Sequence, residues 1–302
     1  MYFKNIKEND KTITFQLHNL HRSFASALRR TLLADIPVYG LDDFEVQINT
    51  SNMYHNDFIT HTISGIPLIG IGQKENIDDI TFTLDESSTI DDEIRIIYSN
   101  DIKSSNGKKY LWQDIPIIKL YPGKALKLTA KATKRTAKEN AFIYGAIETP
   151  KFKHIESSTN KYKNEINPIV EFSITSICNY TPKYMLFLAC ETIIKQLQDI
   201  KDYIVNADNY KINNVIISEL NTDYVIITIS NIDHTIANLI KGEAIVSTSD
   251  IMSKGFIGYK KNHPTEEIIE FKIKYNEPVK FFLTHIESLI DLTEKVKHEL
   301  KE

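Results

Sequence analysis

The chain has 302 residues, 42% of them hydrophobic and 25% charged, with a formal net charge of -4. Such a composition describes a globular chain of about two domains. It excludes a global electrostatic pull toward DNA or an anionic membrane. Two cysteines, Cys178 and Cys190, are too few for a four-cysteine metal site or a disulfide framework. We expect buried thiols, Cys178 in a strand and Cys190 in a helix, in a reducing compartment. The opening MYFKNIKEND lacks the apolar core of a signal peptide. No apolar run reaches the roughly 18 residues of a membrane helix, so neither secretion nor a membrane span is expected.

Thr12–Leu17 alternates as a strand. A polar turn follows, and Ser23 is the expected N-cap of a helix ending before Pro37. Phe24, Ala27, Leu28, Thr31 and Leu32 fall on one helical stripe, with Arg29 and Arg30 at its edge. The segment ITFQLHNLHRSFASALRRTLLADIP recurs as VIITISNIDHTIANLIKGEAIV at a fixed offset of 212 residues. Phe15 falls on Ile227, Leu17 on Ile229, Asn19 on Asn231, Ser23 on Thr235, Phe24 on Ile236 and Leu28 on Ile240. A repeat at this distance suggests two related domains in one chain.

Phe44–Ile48 reads as another strand. Residues 50–165 then change texture, with short strands, acidic pairs and turn clusters, as an inserted β-rich domain would. The stretch after Pro150 reads as a polar loop. Regularity returns with the strand at Ile169. Thr181-Pro182 then starts a helix with Met185, Leu188, Ile193 and Leu197 on one stripe. Residues 206–214 read as a linker. The second domain runs over 215–302, with Thr235 as the expected N-cap, a hairpin over 256–275, and Glu277-Pro278 starting a long helix. Its seam holds Phe282, Ile286, Leu289, Thr293, Val296 and Leu300. The expected fold class is α+β: two related dimerisation domains, 1–49 with 166–205 and 215–302, packed as an intramolecular pseudo-dimer.

No assembled active site is visible. The pairs Asp42-Asp43, Asp78-Asp79 and Asp91-Asp92-Glu93 read as solvated turns, because neighbours on a strand point to opposite faces. His21, His55, His61, His234, His263 and His285 show no zinc spacing. Phosphate-loop and nucleophile-elbow motifs are missing. Lys124–Lys138 is a basic run without interleaved aromatics. It reads as a solvated strand face or a surface meeting an acidic protein partner, or else as a sequence-independent nucleic-acid contact. Arg29 and Arg30 read either as solvated residues or as a carboxylate-docking pair.

LHRSFASALRRTLLADIPVYGLD resembles the assembly motif of the α-like components of RNA polymerase: the bacterial α N-terminal domain, its archaeal counterpart and the third-largest subunit of polymerase II. NTSNMYHNDFITHTISGIPL and KLYPGKALKLTAKATKRTAKENAFIYGA resemble that family's following segments. DHTIANLIKGEAI and GFIGYKKNHPTEEIIEFKIKY resemble its small partner, archaeal L or the eleventh subunit of polymerase II. One chain carrying both resembles the arrangement in large DNA viruses that transcribe in the host cytoplasm.

The resemblance implies a noncatalytic assembly platform, without cofactor or metal, acting in a viral factory or virion, or otherwise with the polymerase in nucleus or cytoplasm. Its implied partners are the largest and second-largest subunits and small accessory subunits, with DNA and RNA reached only through the complex and no membrane. Arg29, Arg30, Asp57, Phe58, His61, Lys138 and Glu139 would dock large subunits. Phe24, Ala27, Leu28, Leu32, Met185, Leu188, Ile193, Ile236, Leu239, Ile240, Phe282, Ile286 and Leu289 would pair the halves. The first stripe is expected to face Ile236, Leu239 and Ile240, with both arginines outward. Thr62 and Asn140 depart from the family pattern, and Lys241 alone matches the arginine pair downstream.

Overall fold

A computed structural model describes residues 2–51, 53–72, 75–91, 93–148, 150–155, 169–205, 215–220, 224–248 and 255–300. The elements begin β1 (Phe3–Glu8), β2 (Thr12–Leu17), α1 (Arg22–Ala34), β3 (Val38–Asn49), α2 (Asn56–Ser64), β4 (Thr81–Ser87), β5 (Arg95–Tyr98), β6 (Lys103–Ser104), β7 (Pro116–Leu120) and β8 (Ala125–Arg135). They continue β9 (Lys151–Ile155), β10 (Ile169–Thr175), α3 (Pro182–Val205), β11 (Val215–Leu220), β12 (Tyr224–Ser230), α4 (His234–Ser247), β13 (Phe256–Lys260), β14 (Ile268–Lys274) and α5 (Pro278–Glu299). The chain divides into two compact units. One holds Met1–Leu32, Pro150–Ile174 and Pro182–Glu302; the other holds Leu33–Thr149 and Thr175–Thr181.

The first unit contains two four-stranded sheets with the same order, β1-β2-β10-β9 and β11-β12-β14-β13. In each, two strands precede a short helix and two strands follow it, and a long helix closes the series. Alternation sends Ile13, Phe15 and Leu17 of β2 to a buried face, as it does Ile227 and Ile229 of β12. Phe15 stacks on Phe172 at 5.3 Å, and Phe271 meets Phe282 of α5 edge-on at 4.8 Å. The long helices α3 and α5 pack along one another.

The second unit is built on the sheet β3-β8-β4-β6, the pair β5-β7 and helix α2. Its core gathers Leu41, Ile59, Ile63, Phe82, Leu84 and Leu128 among others. Ile59 and Ile63 lie one turn apart on α2 and form its buried edge.

Several expectations are corrected. β3 pairs along its length with β8, so it belongs to the second unit and the boundary falls near Leu33 rather than at 49/50. The other boundary falls at Pro150 rather than 165/166, because β9, expected as loop, pairs with β10. β1 shows no alternation, since Phe3 alone is buried, and it is held by pairing to β2. Helix α1 begins at Arg22, which leaves Ser23 inside it, and Asp233 rather than Thr235 caps α4. Cys178 sits half-buried in a bend after β10. Cys190 is fully buried on α3, and burial pushes its thiol up to about 12. The expected linker 206–214 lies outside the described residues. No described helix is long and apolar enough to cross a membrane.

Candidate interaction surfaces

In the first unit the turns before α1 and α4 are built alike. Asn19 and Asn231 take left-handed φ values of 57° and 60°. Two residues on, a side chain at the N-cap position accepts a backbone N–H. His21 Nδ1 accepts from Ser23 N at 3.2 Å, and Asp233 Oδ1 accepts from Thr235 N at 2.8 Å. In the sequence these two caps are masked by the hydroxyl residues beside them, which are themselves favoured cap types. Burial, then the Arg22 charge, holds the His21 imidazole below its ordinary pKa, against Glu243. A neutral ring is the form whose Nδ1 can accept.

Further along each short helix a cation lies over an aromatic ring. Arg29 sits 5.8 Å from the Phe152 centroid and Lys241 5.9 Å from that of Tyr259. Phe152 is opposite Phe172 in the β9–β10 register, and Tyr259 is opposite Phe271 in the β13–β14 register. The arginine pair therefore splits. Arg29 is half-buried over its ring. Arg30 stays exposed, and it also donates from Nε to Thr235 Oγ1 at 2.7 Å and places Nη2 3.7 Å from Asp233 Oδ2.

Gly242, which corresponds to Arg30, meets α1 from the other direction. A Cβ there would lie 2.8 Å from Ser23 Cβ and 2.9 Å from His21 Nδ1. Phe24, Ala27, Leu28, Leu32, Met185, Ile193, Ile236, Leu239, Ile240, Phe282, Ile286 and Leu289 are all buried, whereas Leu188 is half-buried. Among the described residues the most extensive helix packing is α3 on α5, the helices that carry Met185, Leu188, Ile193, Phe282, Ile286 and Leu289. Lys201 Nζ lies 2.8 Å from Glu287 Oε1 across that seam.

In the second unit, α2 presents Asp57, Phe58 and His61 at the surface. His55 caps the helix through its side chain. The His61 ring stacks on Phe142 at 4.2 Å and 10°. This contact brings α2 to the turn that carries Lys138 and Glu139. Phe142 is 53% exposed, and Gly65 makes room for it, since a Cβ there would lie 2.6 Å from Phe142 Cζ. Lys138 Nζ lies 3.4 Å from Asp35, and Glu139 lies 3.8 Å from Arg135. Phe142 lies within a segment that resembles the family, but Phe142, Ile143 and Tyr144 are consecutive apolar residues with no period that singles it out as a surface partner of His61.

The basic run occupies β8 and its flanks, between β3 and β4. Lys127 is 2.7 Å from Asp85, Arg135 is 3.9 Å from Asp42, and Lys134 lies over Tyr39 at 5.5 Å. Neighbouring carboxylates thus divide the run, which argues against a continuous phosphate-tracking groove. Asp42 also accepts from Tyr144 Oη at 3.2 Å, so it is tied into the sheet. Asp92 lies outside the described residues. Among the described residues no group of three or more His, Cys, Asp or Glu side chains could hold a metal ion.

Residues 224–299 match the family described as the RNA polymerase Rpb3/Rpb11 dimerisation domain. The chain is 33% identical over 142 residues to the DNA-directed RNA polymerase subunit Rpo3 of Pyrococcus horikoshii, covering 46% of this chain and 54% of the relative. It is 32% identical over 169 residues to Rpo3 of Pyrococcus furiosus, covering 52% and 62%. It is 31% identical over 160 residues to the DNA-directed RNA polymerase II subunit rpb3 of Dictyostelium discoideum, covering 44% and 51%. The chain is homologous to the Rpo3 and Rpb3 subunits over these spans, which are about half to three-fifths of the relatives' length.

Proposed function

We propose that this chain is a noncatalytic assembly platform of a multisubunit DNA-directed RNA polymerase. It carries an α-like half and a small-partner-like half in one polypeptide. The two halves pair internally as a pseudo-dimer, and the remaining surfaces dock the two large subunits. The observation that carries the reading is reciprocity. Arg30 meets Thr235 and Asp233, while Gly242, the counterpart of Arg30, meets Ser23 and His21, the counterparts of Thr235 and Asp233. Residue i touching j while j's counterpart touches i's is the mark of a two-fold interface. Fusion supports such pairing by raising the effective concentration of one half near the other.

Arg30 is accordingly assigned to pairing rather than docking. Arg29, and in the second unit Asp57, Phe58, His61, Lys138 and Glu139, are assigned to docking the second-largest subunit, with the downstream half toward the largest. Small accessory subunits complete the complex, and DNA and RNA are met through it. The resemblance of a fused chain to viral arrangements supports work in a viral factory of the host cytoplasm.

Affinity purification of the tagged chain from its native source tests the reading. Two very large polymerase subunits should co-purify in stoichiometric amounts; their absence would overturn it. Tight, steeply salt-dependent DNA binding by the purified chain would favour direct nucleic-acid contact instead.

A further inference from the structure

The two reciprocal contacts use corresponding positions but opposite chemistry. On one side a long cation, Arg30, reaches a hydroxyl and a carboxylate, with Nε 2.7 Å from Thr235 Oγ1 and Nη2 3.7 Å from Asp233 Oδ2. On the other side the same position is Gly242, and the approach is so close that a Cβ would lie 2.8 Å from Ser23 Cβ. The carboxylate position there is His21, whose Nδ1 already accepts from Ser23 N at 3.2 Å.

We infer that these two contacts form a pairing code that makes each half choose the other over a second copy of itself. The inference rests on the internal pairing proposed above. In a pairing of two upstream halves, Arg30 would face His21 and Ser23, where there is no carboxylate, across a gap that admits no side chain. In a pairing of two downstream halves, Gly242 would face Asp233 with no guanidinium to meet it. Only the mixed pairing joins Arg30 to Asp233 and lays glycine on Ser23. Specificity then comes from excluding the wrong partners as well as from contact with the right one. Half-exposed ion pairs discriminate weakly, so the steric side of the code, at Gly242, is the stronger.

The full chain tests this. Gly242→Arg obstructs the internal contact, yet lets the downstream halves of two chains each offer a new guanidinium to the other's Asp233. Light scattering should show twice the wild-type mass, returning to the wild-type value when Asp233→Ala is added. A soluble Gly242→Arg chain of unchanged mass and unchanged melting temperature would overturn the inference.

A milder pair covers the case in which that variant does not fold. Alanine ordinarily favours a helix over glycine, yet Gly242→Ala should lower the melting temperature by about 4 °C or more, on the scale of 2–4 °C per kcal/mol for a domain of this size. Ser23→Gly in the same chain should restore most of that loss, and Thr235→Gly should not. A Gly242→Ala chain that melts with wild type, or equal rescue by both glycines, would sink the code. The pairing itself is read separately by zero-length carbodiimide cross-linking of Lys201 to Glu287. That cross-link with silent Gly242 variants removes the code and leaves the pairing; its absence from wild type removes both.

Discussion

Asn19 and Asn231 hold the same left-handed backbone conformation, at φ 57° and 60°, at corresponding points of the two halves. Each sits where a strand turns into a short helix, so the turn is a repeated device. A left-handed residue with a Cβ costs about 1–2 kcal/mol, and asparagine tolerates it better than most residues. Asn19→Gly and Asn231→Gly should be neutral or mildly stabilising. Asn19→Val and Asn231→Val should each lower unfolding free energy by about 1–2 kcal/mol in urea melts. Equal tolerance of valine and glycine would show that the turn is not constrained.

Phe282 is fully buried and edge-on to Phe271 at 4.8 Å. Phe282→Ala should cost about 3–5 kcal/mol, the range for a buried aromatic replaced by alanine. Leu188 lies on the neighbouring long helix and is only half-buried. Leu188→Ala should fall below ~2 kcal/mol, because part of its side chain already faces water. Chemical denaturation of the two variants side by side checks the ranking.

The His61–Phe142 stack is a surface feature of the second unit. Phe142→Ala should change stability by less than about 1 kcal/mol, since the ring stays largely solvated. If the stack docks the second-largest subunit, Phe142→Ala combined with His61→Ala should abolish stoichiometric co-purification while the circular dichroism spectrum is unchanged. Full recovery of the large partner by the double variant would remove this surface from the docking assignment.

Glu75 gives a pH signature. Its Oε2 accepts from Gly72 N at 3.0 Å, and its Oε1 accepts from Lys108 Nζ at 3.0 Å and Tyr110 Oη at 2.9 Å. The Gly72 N–H first, then Lys108 and Tyr110, hold the carboxyl at about 2, below the ordinary 4.5. A folded-state pKa below the unfolded one adds stability that is fully present above the unfolded value and is lost as pH falls toward 2. The melting temperature of wild type should exceed that of Glu75→Gln by a constant margin above about pH 5 and converge with it toward pH 2. A margin independent of pH would show that the carboxylate is not held in this way.

The strands at Thr12 and Ile169, the long helices after Pro182 and Pro278, and the buried stripe Phe24, Ala27, Leu28 and Leu32 were legible in the sequence. Each is written in a local period of two or 3.6 residues. β1 and β9 were not, because they are edge strands with mostly exposed side chains, held by backbone pairing. Helix α2 was hidden by polar neighbours, with Ile59 and Ile63 as its main apolar signal. Among the site residues, His61 and Phe142 both lie in segments that resemble the family, but only the tertiary structure brings their rings together.

By itself the sequence determined that one strand–turn–helix unit occurs twice, 212 residues apart, with two arginines in the first copy and Lys241 followed by Gly242 in the second. Such correspondence needs only the order of residues. The tertiary structure decided where Arg30 goes and why its counterpart is glycine. Arg30 and Thr235 are 205 residues apart, and their contact depends on how the helices approach once their apolar faces are buried. Burial is non-directional and readable as a pattern. A hydrogen bond of 2.7 Å, or a gap that excludes a Cβ, exists only when backbones come to rest at one separation.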